Sequence, residues 1–201
     1  PVSSLMDPRT GLVKSGCVEE GLISAASVEM ARYYGFPSET AGLETGRFAL
    51  NVQSSYETAL SALISTFSYP DIMVGAGLIG GSMVLNLEQM LIDTEIFKMC
   101  LRAHQGIASG KDKWLLDVIE QTEPGAHFID HPTTLKATRS DELYISRLEA
   151  FEGLEEWGNS NKTDIVDTAR AGVDQILSSY QPLPLGDEVE QELQTIKNKV
   201  I

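Results

Sequence analysis

The sequence predicts an α/β fold made of parallel β-α-β units, arranged either as a barrel or as a doubly wound sheet. Helical periodicity alternates with short apolar segments over the first half of the chain. A glycine-rich loop at residues 74–81, VGAGLIGG, follows one of these segments and precedes a long helical pattern. Parallel strands need cover on both faces, which favours these two architectures. A glycine loop at a strand end is where α/β proteins usually bind small molecules.

The elements follow in a regular order. A helix is predicted over 19–34, where Gly35 ends it and Pro37 prevents its continuation. A strand over 38–43, a helix over 50–67 and a strand over 71–74 come next. Apolar residues at helical spacing predict one apolar face on each helix. These residues are Leu22, Ile23, Ala26 and Met30 in the first helix and Tyr56, Leu60, Leu63, Ile64 and Phe67 in the second.

The third helix starts near Leu87, with an apolar face that includes Met90 and Ile96 and with acidic residues around the rest. Beyond it the pattern predicts a short helix over 113–120 and an irregular segment over 123–135. Helices are then predicted over 142–157, 163–180 and 187–199, the second of them capped by Thr163. The chain therefore divides into an α/β part, residues 1–140, and a helical C-terminal extension packed on it, residues 141–201.

Composition narrows the function classes. The chain has 29 acidic against 15 basic residues and a formal charge of −14, which disfavours nucleic acid as a partner. Two distant cysteines and three histidines without ligand spacing predict neither a disulfide framework nor a metal site. No apolar run approaches the roughly 20 residues of a membrane span, and residues 1–6 show no leader pattern. A cytoplasmic protein without membrane contact is the expectation.

Several segments, taken in order, carry a resemblance that covers nearly the whole chain. They are GAGLIGG, the helix LEQMLIDTEIFKM, LDVIEQTEPGAHFIDHPTTL, EEWG and PLPLGDEVEQEL. With them the sequence resembles the trimethylamine:corrinoid methyltransferase family, including relatives that demethylate glycine betaine. The resemblance implies the C-terminal half of a (β/α)8 barrel, because members of that family are much longer. Three alternatives follow: the rest of the barrel lies on another polypeptide, two copies of the chain close one barrel, or the chain is a stable fragment.

The resemblance also implies a reaction. A methyl group would pass from a small methylated or quaternary amine to the cobalt of cobalamin, which a separate corrinoid protein supplies, so this chain would bind no cofactor directly. A quaternary ammonium is a diffuse cation without a proton to donate, and aromatic faces and nearby carboxylates suit it. The implied partners are the amine, the corrinoid protein, and either further copies of the chain or the missing N-terminal half.

Barrel enzymes place their reacting groups at the carboxyl ends of strands, which here follow residues 43 and 74. Glu44 is the predicted charge partner, Phe48 a predicted aromatic lining, and no catalytic residue is assigned. Glycines at the strand end give backbone clearance, and the residues after them form the wall. The further candidates are Gly75, Gly77, Ser82, Met83 and Glu88, with Asp93 as a weaker one. For Glu88 and Asp93 a solvated or helix-capping role is the competing interpretation.

One stretch departs from the family pattern. Where members carry SDAK-x-x-D-x-Q-A-G-x-E-K, residues 45–58 read TGRFALNVQSSYET, which keeps Gln53 and Glu57. Two acidic positions have become Gly46 and Asn51, and two lysines have become Phe48 and Thr58.

These replacements leave alternatives open. The second hypothesis is a catalytically silent binding or assembly module of the same fold, in which the helical tail mediates oligomerisation. A third, an unrelated α/β enzyme, requires the ordered matches to be chance. The family's trimethylamine enzymes use pyrrolysine, which is missing from these letters, so the branch without pyrrolysine is the better comparison.

Overall fold

A computed structural model of the chain describes residues 4–150, 152–159 and 163–200. The first part contains three long helices and four short strands. In order these are α1 (Val18–Tyr34), β1 (Glu39–Ala41), α2 (Val52–Phe67), β2 (Ile72–Val74), β3 (Leu78–Ile79), β4 (Val84–Leu85) and α3 (Leu87–Gln105). β1 pairs in parallel with β2, with Thr40 opposite Met73, and α2 connects them. The predicted order of helix, strand, helix, strand and helix is confirmed. The antiparallel β3–β4 pair inside the glycine loop was not expected.

The remaining chain is a series of shorter helices. A 3-10 turn at Lys111–Lys113 precedes α4 (Leu116–Gln121), α5 (Pro132–Thr138), α6 (Leu154–Asn159), α7 (Ile165–Ser179) and α8 (Asp187–Val200). α7 packs along α3 so closely that a Cβ built on Gly172 would lie 3.1 Å from Leu91 Cδ1. The helix predicted over 187–199 is confirmed as α8. α7 is capped by Asp164 instead of Thr163, because the Asp164 carboxylate accepts hydrogen bonds from the backbone of Val166 and Asp167.

The helix predicted over 142–157 is wrong for most of its length. Residues 142–150 are irregular, position 151 lies outside the described residues, and only α6 is helical near the end. The cause is Glu95 of α3, which accepts hydrogen bonds from Tyr144 Oη (2.6 Å), Ser146 Oγ (2.9 Å) and the Arg147 backbone N–H (3.1 Å). This carboxylate holds the backbone against α3 in a non-helical path.

The segment predicted to be irregular over 123–135 contains the start of α5. Pro132 occupies the first turn, where a missing N–H costs nothing. The ring Nδ1 of His131 accepts a hydrogen bond from the Thr133 N–H at 3.2 Å and so caps the helix. The short helix predicted over 113–120 is divided between the 3-10 turn and α4.

Small and polar side chains pack α1 and α2 onto the sheet. Ser61 Oγ and Ser65 Oγ of α2 each donate a 3.0 Å hydrogen bond to a backbone carbonyl at the end of β1, those of Gly42 and Ala41. The apolar faces predicted for these helices are therefore turned outward for the most part. Their exposed members include Leu22, Met30, Tyr56, Leu60 and Leu63.

A small apolar core lies between β1, α2 and α3. Leu43, Ala62 and Cys100 form its buried centre, and Met73 and Phe97 pack against it. Within the described residues, no helix combines the length and apolar composition of a bilayer crossing. The half-barrel stays a prediction, because the unit β1-α2-β2 is common to barrels and doubly wound sheets. In both, the carboxyl ends of the strands meet at one edge.

Candidate functional site

The loops that leave β1 and β2 are joined by backbone hydrogen bonds. The Thr45 N–H donates to the carbonyl of Leu78 at 3.4 Å, and the Gly81 N–H donates to the carbonyl of Thr45 at 3.1 Å. Gly80 N–H donates to the carbonyl of Arg47 at 2.8 Å. The glycine loop therefore lies directly against the residues that follow β1, as the parallel arrangement predicted.

Glu44 lies half-buried where the two loops meet. Ser82 Oγ donates a 2.7 Å hydrogen bond to Glu44 Oε2. The backbone of Ser82 has φ +66°, a left-handed conformation that residues with a Cβ seldom adopt. Gly75 has φ +113°, and a Cβ there would lie 2.6 Å from Glu44 Cγ. Three predicted site residues thus lie together, and Gly75 is needed for the space that the Glu44 side chain occupies.

Two further carboxylates surround the turn beside Glu44, and we call Glu20, Glu44 and Glu57 the carboxylate cluster. Glu57 accepts hydrogen bonds from Thr45 Oγ1 at 2.5 Å and from Gln53 Nε2 at 2.6 Å. The buried Glu20 accepts one from the Gly16 N–H at 2.6 Å. Burial raises the pKa of Glu20, the Gly16 hydrogen bond lowers it, and the Glu44 charge raises it further, with a net upward shift.

Sequence reasoning missed Glu20 as a site residue and noted Glu57 only as a surviving match. Glu20 lies in the first turn of α1, where an acidic residue ordinarily complements the helix dipole. The signal that singles it out is three-dimensional, namely its hydrogen bond to Gly16. A Cβ on Gly16 would lie 2.7 Å from the Glu44 carbonyl oxygen, so this turn lies against the residues after β1.

Phe48 and Met83 lie at the outer edge of the site. The Phe48 ring lies directly over Gly80, where any added Cβ would overlap the ring, and its side chain is largely exposed. Met83 is 77% exposed at the tip of the β3–β4 turn, so it lines no closed pocket wall in this structure. An accessible aromatic face therefore lies beside the turn that carries Ser82.

Gly77 and Asp93 are joined by a hydrogen bond that anchors the glycine loop on α3. Asp93 Oδ2 accepts from the Gly77 N–H at 2.7 Å, and Oδ1 accepts from Gln89 Nε2 at 2.6 Å. Asp93 is fully buried, so the interpretation of this residue as a solvated or helix-capping carboxylate is wrong. Burial raises the pKa of Asp93 to about 6, although the Gly77 and Gln89 hydrogen bonds act in the opposite direction. Asp93 therefore positions the glycine loop from its place on α3.

The remaining candidate, Glu88, lies on another side of α3. Its carboxylate is 3.6 Å from Arg170 Nε of α7, in an ion pair between the two helices. Asn51, one of the departures from the family pattern, caps α2 by accepting from the Gln53 and Ser54 backbone N–H groups. Thr58, another departure, is fully buried, and its hydroxyl has no hydrogen-bond partner among the described residues. Glu88 and Asn51 thus have structural contacts of their own.

These features define a protein in which two parallel strands joined by a helix end at an acidic, glycine-lined site. The sequence profile of the trimethylamine methyltransferase (MTTB) family matches residues 1–199, so the chain belongs to that family. It is 27% identical over 199 residues to trimethylamine methyltransferase MttB of Methanosarcina barkeri, with 98% of this chain and 39% of that protein aligned.

A second relative has a different named substrate. The chain is 30% identical over 193 residues to glycine betaine methyltransferase of Desulfitobacterium hafniense, with 96% of this chain and 40% of that protein aligned. The chain thus spans about two fifths of the length of the curated relatives that it matches. The predicted family is confirmed.

Proposed function

We propose that the protein is a methyltransferase that moves a methyl group from a small methylated or quaternary amine to the cobalt of a corrinoid protein. Membership of the trimethylamine methyltransferase family supports the amine as substrate. The observation that carries the proposal is the carboxylate cluster at the carboxyl ends of β1 and β2. There Glu44 lies where the two loops meet, and Phe48 offers an aromatic face beside them.

The cluster suits a cation for electrostatic reasons. Glu44 is held by one hydroxyl donor, Ser82, and no ion pair of Glu44 occurs among the described residues. A methylated ammonium offers no hydrogen atom on a fully substituted nitrogen, so it binds through charge and through contact with aromatic faces. The exposed Phe48 ring supplies such a face. The positive φ of Ser82 and the missing Cβ of Gly75 fix where the Glu44 carboxylate lies.

Transfer of the methyl group changes the charge beside Glu44. The C–N bond breaks with its electron pair left on nitrogen, so a quaternary cation leaves as a neutral tertiary amine. The electron pair for the new bond to carbon would come from the reduced corrinoid of the partner protein. A carboxylate that attracts the cation therefore acts on the bound substrate more strongly than on the transition state, where the positive charge is already declining. In this proposal Glu44 is a substrate-binding residue, and it acts on the affinity for the amine more than on the rate of methyl transfer.

The kinetic experiment uses the full-length protein, a reduced corrinoid protein and a panel of amines, with methylcobalamin formation followed by absorbance. For the accepted amine, Glu44→Gln is expected to raise KM about tenfold, or about 1.4 kcal/mol, with kcat changed much less. Glu88→Gln is the matched control, since it removes one carboxylate from an ion pair on another side of α3. Absence of methylcobalamin with every amine contradicts the proposal, and so does a loss in Glu44→Gln that falls on kcat alone.

The alternative is a catalytically silent binding or assembly module, and one observation favours it. Asn51, which replaces an acidic residue of the family pattern, is committed to capping α2 and so is unavailable to a substrate. Calorimetric titration with amines and with the corrinoid protein separates the two functions. A silent binding module gives heat without methyl transfer, and a pure assembly module gives subunit contacts without ligand heat.

A further inference from the structure

Residues 181–200 form a linker followed by α8, and we call them the C-terminal arm. Every described side chain of the arm is exposed. Val189, Leu193 and Ile196 are spaced to form one stripe along α8, and each is about half exposed. The hydrogen bonds of α8 are internal among the described residues, as in the contact of Thr195 Oγ1 with the Gln191 carbonyl at 2.7 Å. α8 is thus an amphipathic helix whose apolar stripe has no packing partner among the described residues.

A helix of this kind needs a surface to pack on. α8 has 14 residues, and isolated helices of about 12 to 15 residues are only marginally stable in water. Its charges follow the helix dipole, with Asp187, Glu188 and Glu190 in the first turn and Lys197 and Lys199 in the last. The acidic end is adjacent to the apolar stripe. A surface that binds α8 therefore has to offer apolar contacts and a positive charge near the start of the helix.

One groove of the molecule has both properties. It lies between the C-terminal half of α3 and residues 138–145, with a volume of about 630 Å³. Leu101, Leu143 and Ile145 supply apolar surface. The charged lining residues are Arg102, Arg139 and Asp141, together with Lys98, which is paired with Glu95. The Arg102 guanidinium donates only to the carbonyls of Glu142 and Gly106, and Arg139 has no carboxylate partner among the described residues. In a chain of net charge −14, this is a locally basic groove.

Among the described residues, none of the arm lines the groove of its own chain. α7 runs antiparallel to α3: its first turn shares a cavity with Ile96 and Met99, and Gly172 touches Leu91 near the start of α3. At 1.5 Å per helical residue, the end of α7 and Arg102 lie about 25 Å apart along α3. The seven residues that join α7 to α8, 180–186, span about 25 Å when fully extended, and Pro182 and Pro184 restrict their path, so the arm reaches its own groove only at full extension.

We propose that the C-terminal arm of one copy of this chain docks in the basic groove of a second copy. The stripe of Val189, Leu193 and Ile196 packs on the apolar surface of the groove, and the acidic first turn lies beside Arg102 and Arg139. Each copy donates an arm and a groove, so two copies form a closed, two-fold pair. This inference is independent of the methyl-transfer proposal, and neither depends on the success of the other.

Sedimentation velocity of the full chain at micromolar concentrations tests the pairing. The chain is expected to sediment as a dimer. Leu193→Glu, in the stripe, is expected to sediment as a monomer. Gln191→Glu adds the same charge on the opposite face of α8 and is expected to leave the dimer intact. A monomeric wild-type chain overturns the proposal, as does a Leu193→Glu variant that associates like Gln191→Glu.

A charge exchange between arm and groove tests the identity of the two surfaces. Arg139→Glu and Glu190→Arg each place like charges together and are expected to weaken the dimer at least tenfold. An equimolar mixture of the two variants restores one exchanged and one native charge pair, so it is expected to form heterodimers. A mixture that stays dissociated overturns the proposal. A monomer whose α8 amides are nonetheless protected from hydrogen exchange also overturns it, because the arm then packs within one chain.

Discussion

Asp93 and Glu95, two carboxylates of α3 only two residues apart, each hold an irregular segment against the helix, but their pKa values are shifted in opposite directions. Asp93 accepts hydrogen bonds from two uncharged donors, the Gly77 N–H of the glycine loop and Gln89 Nε2 of α3, and burial raises its pKa to about 6. Glu95 binds residues 144–147 and also accepts from the Lys98 ammonium. Burial raises the pKa of Glu95 too, but its hydrogen bonds, the largest from Lys98, outweigh burial and lower the pKa to about 2. The number and charge of the donors decide the outcome.

The comparison extends to the way each segment is packed. The glycine loop approaches α3 and Glu44 so closely that Gly75 and Gly77 have no room for a Cβ. The segment after residue 140 is held through one carboxylate, that of Glu95, which accepts from two side-chain hydroxyls and from the Arg147 backbone N–H. The first region is therefore expected to be sensitive to single added atoms, and the second to the loss of one acceptor.

The largest effect is expected from Gly75→Ala. The added Cβ would lie 2.6 Å from Glu44 Cγ, and the native backbone would hold the alanine at φ +113°. Together the clash and the backbone strain are expected to lower the free energy of unfolding by about 3 kcal/mol or more. Gly35→Ala is the control, because φ there is +71° and the space around it is open. It is expected to cost about 1 kcal/mol. Urea denaturation measures both, and equal costs contradict the close packing described for Gly75.

The next effect is expected from Glu95→Ala. Removing this acceptor leaves Tyr144, Ser146 and the Arg147 N–H without their shared partner, at an expected cost of about 2 to 3 kcal/mol. Because the pKa of Glu95 is lowered in the folded state, its contribution is present above the unfolded pKa and is lost as pH falls towards about 2. The test is to measure the free energy of unfolding between pH 2 and 5, where this loss of stability, the acid limb, occurs. An unchanged limb in the variant contradicts the role of Glu95.

Asp93→Asn is expected to have the smallest effect on the free energy of unfolding, and to raise it at pH 8 where the two preceding substitutions lower it. The raised pKa means that the stability contribution of Asp93 is present below about 4 and is lost as pH rises through about 6. A shift of about two units corresponds to roughly 3 kcal/mol, part of which asparagine recovers by keeping the Gly77 hydrogen bond. Asp93→Asn is therefore expected to stabilise the protein by about 1 kcal/mol at pH 8. The test is to compare denaturation at pH 4 and pH 8, where a variant that is less stable at pH 8 contradicts burial of the charge.

The sequence predicted the long elements because their periodicity is local. α1, α2, α3 and α8 lie within a few residues of their predicted bounds, and Gly35 ends α1 as expected. The strands β3 and β4 have two residues each, too few for an alternating pattern to emerge. The irregular path after residue 140 depends on Glu95, some 50 positions away along the chain, and no local pattern encodes that contact.

The candidate site was predicted in part, where strand order alone decides which residues meet. Strand order placed Glu44 next to Gly75 and Ser82, since parallel strands end at one edge. Burial of Asp93 was not predicted, because a carboxylate on a helix surface and one beneath a glycine loop have the same local sequence. The outward apolar faces of α1 and α2 were missed because serine hydroxyls of α2 satisfy the carbonyls of β1, a role that periodicity does not reveal.

The affinity for a cation tests the central claim most directly. Isothermal titration of the full-length protein compares choline with 3,3-dimethylbutan-1-ol, in which carbon replaces the quaternary nitrogen, so that only the charge differs. The wild type is expected to bind the cation more tightly, Glu44→Gln to lose most of that preference, and Glu88→Gln to keep it. Equal affinity for the two compounds in the wild type, or a preference that survives in Glu44→Gln, would contradict the assignment of Glu44 as the partner of the methylated ammonium.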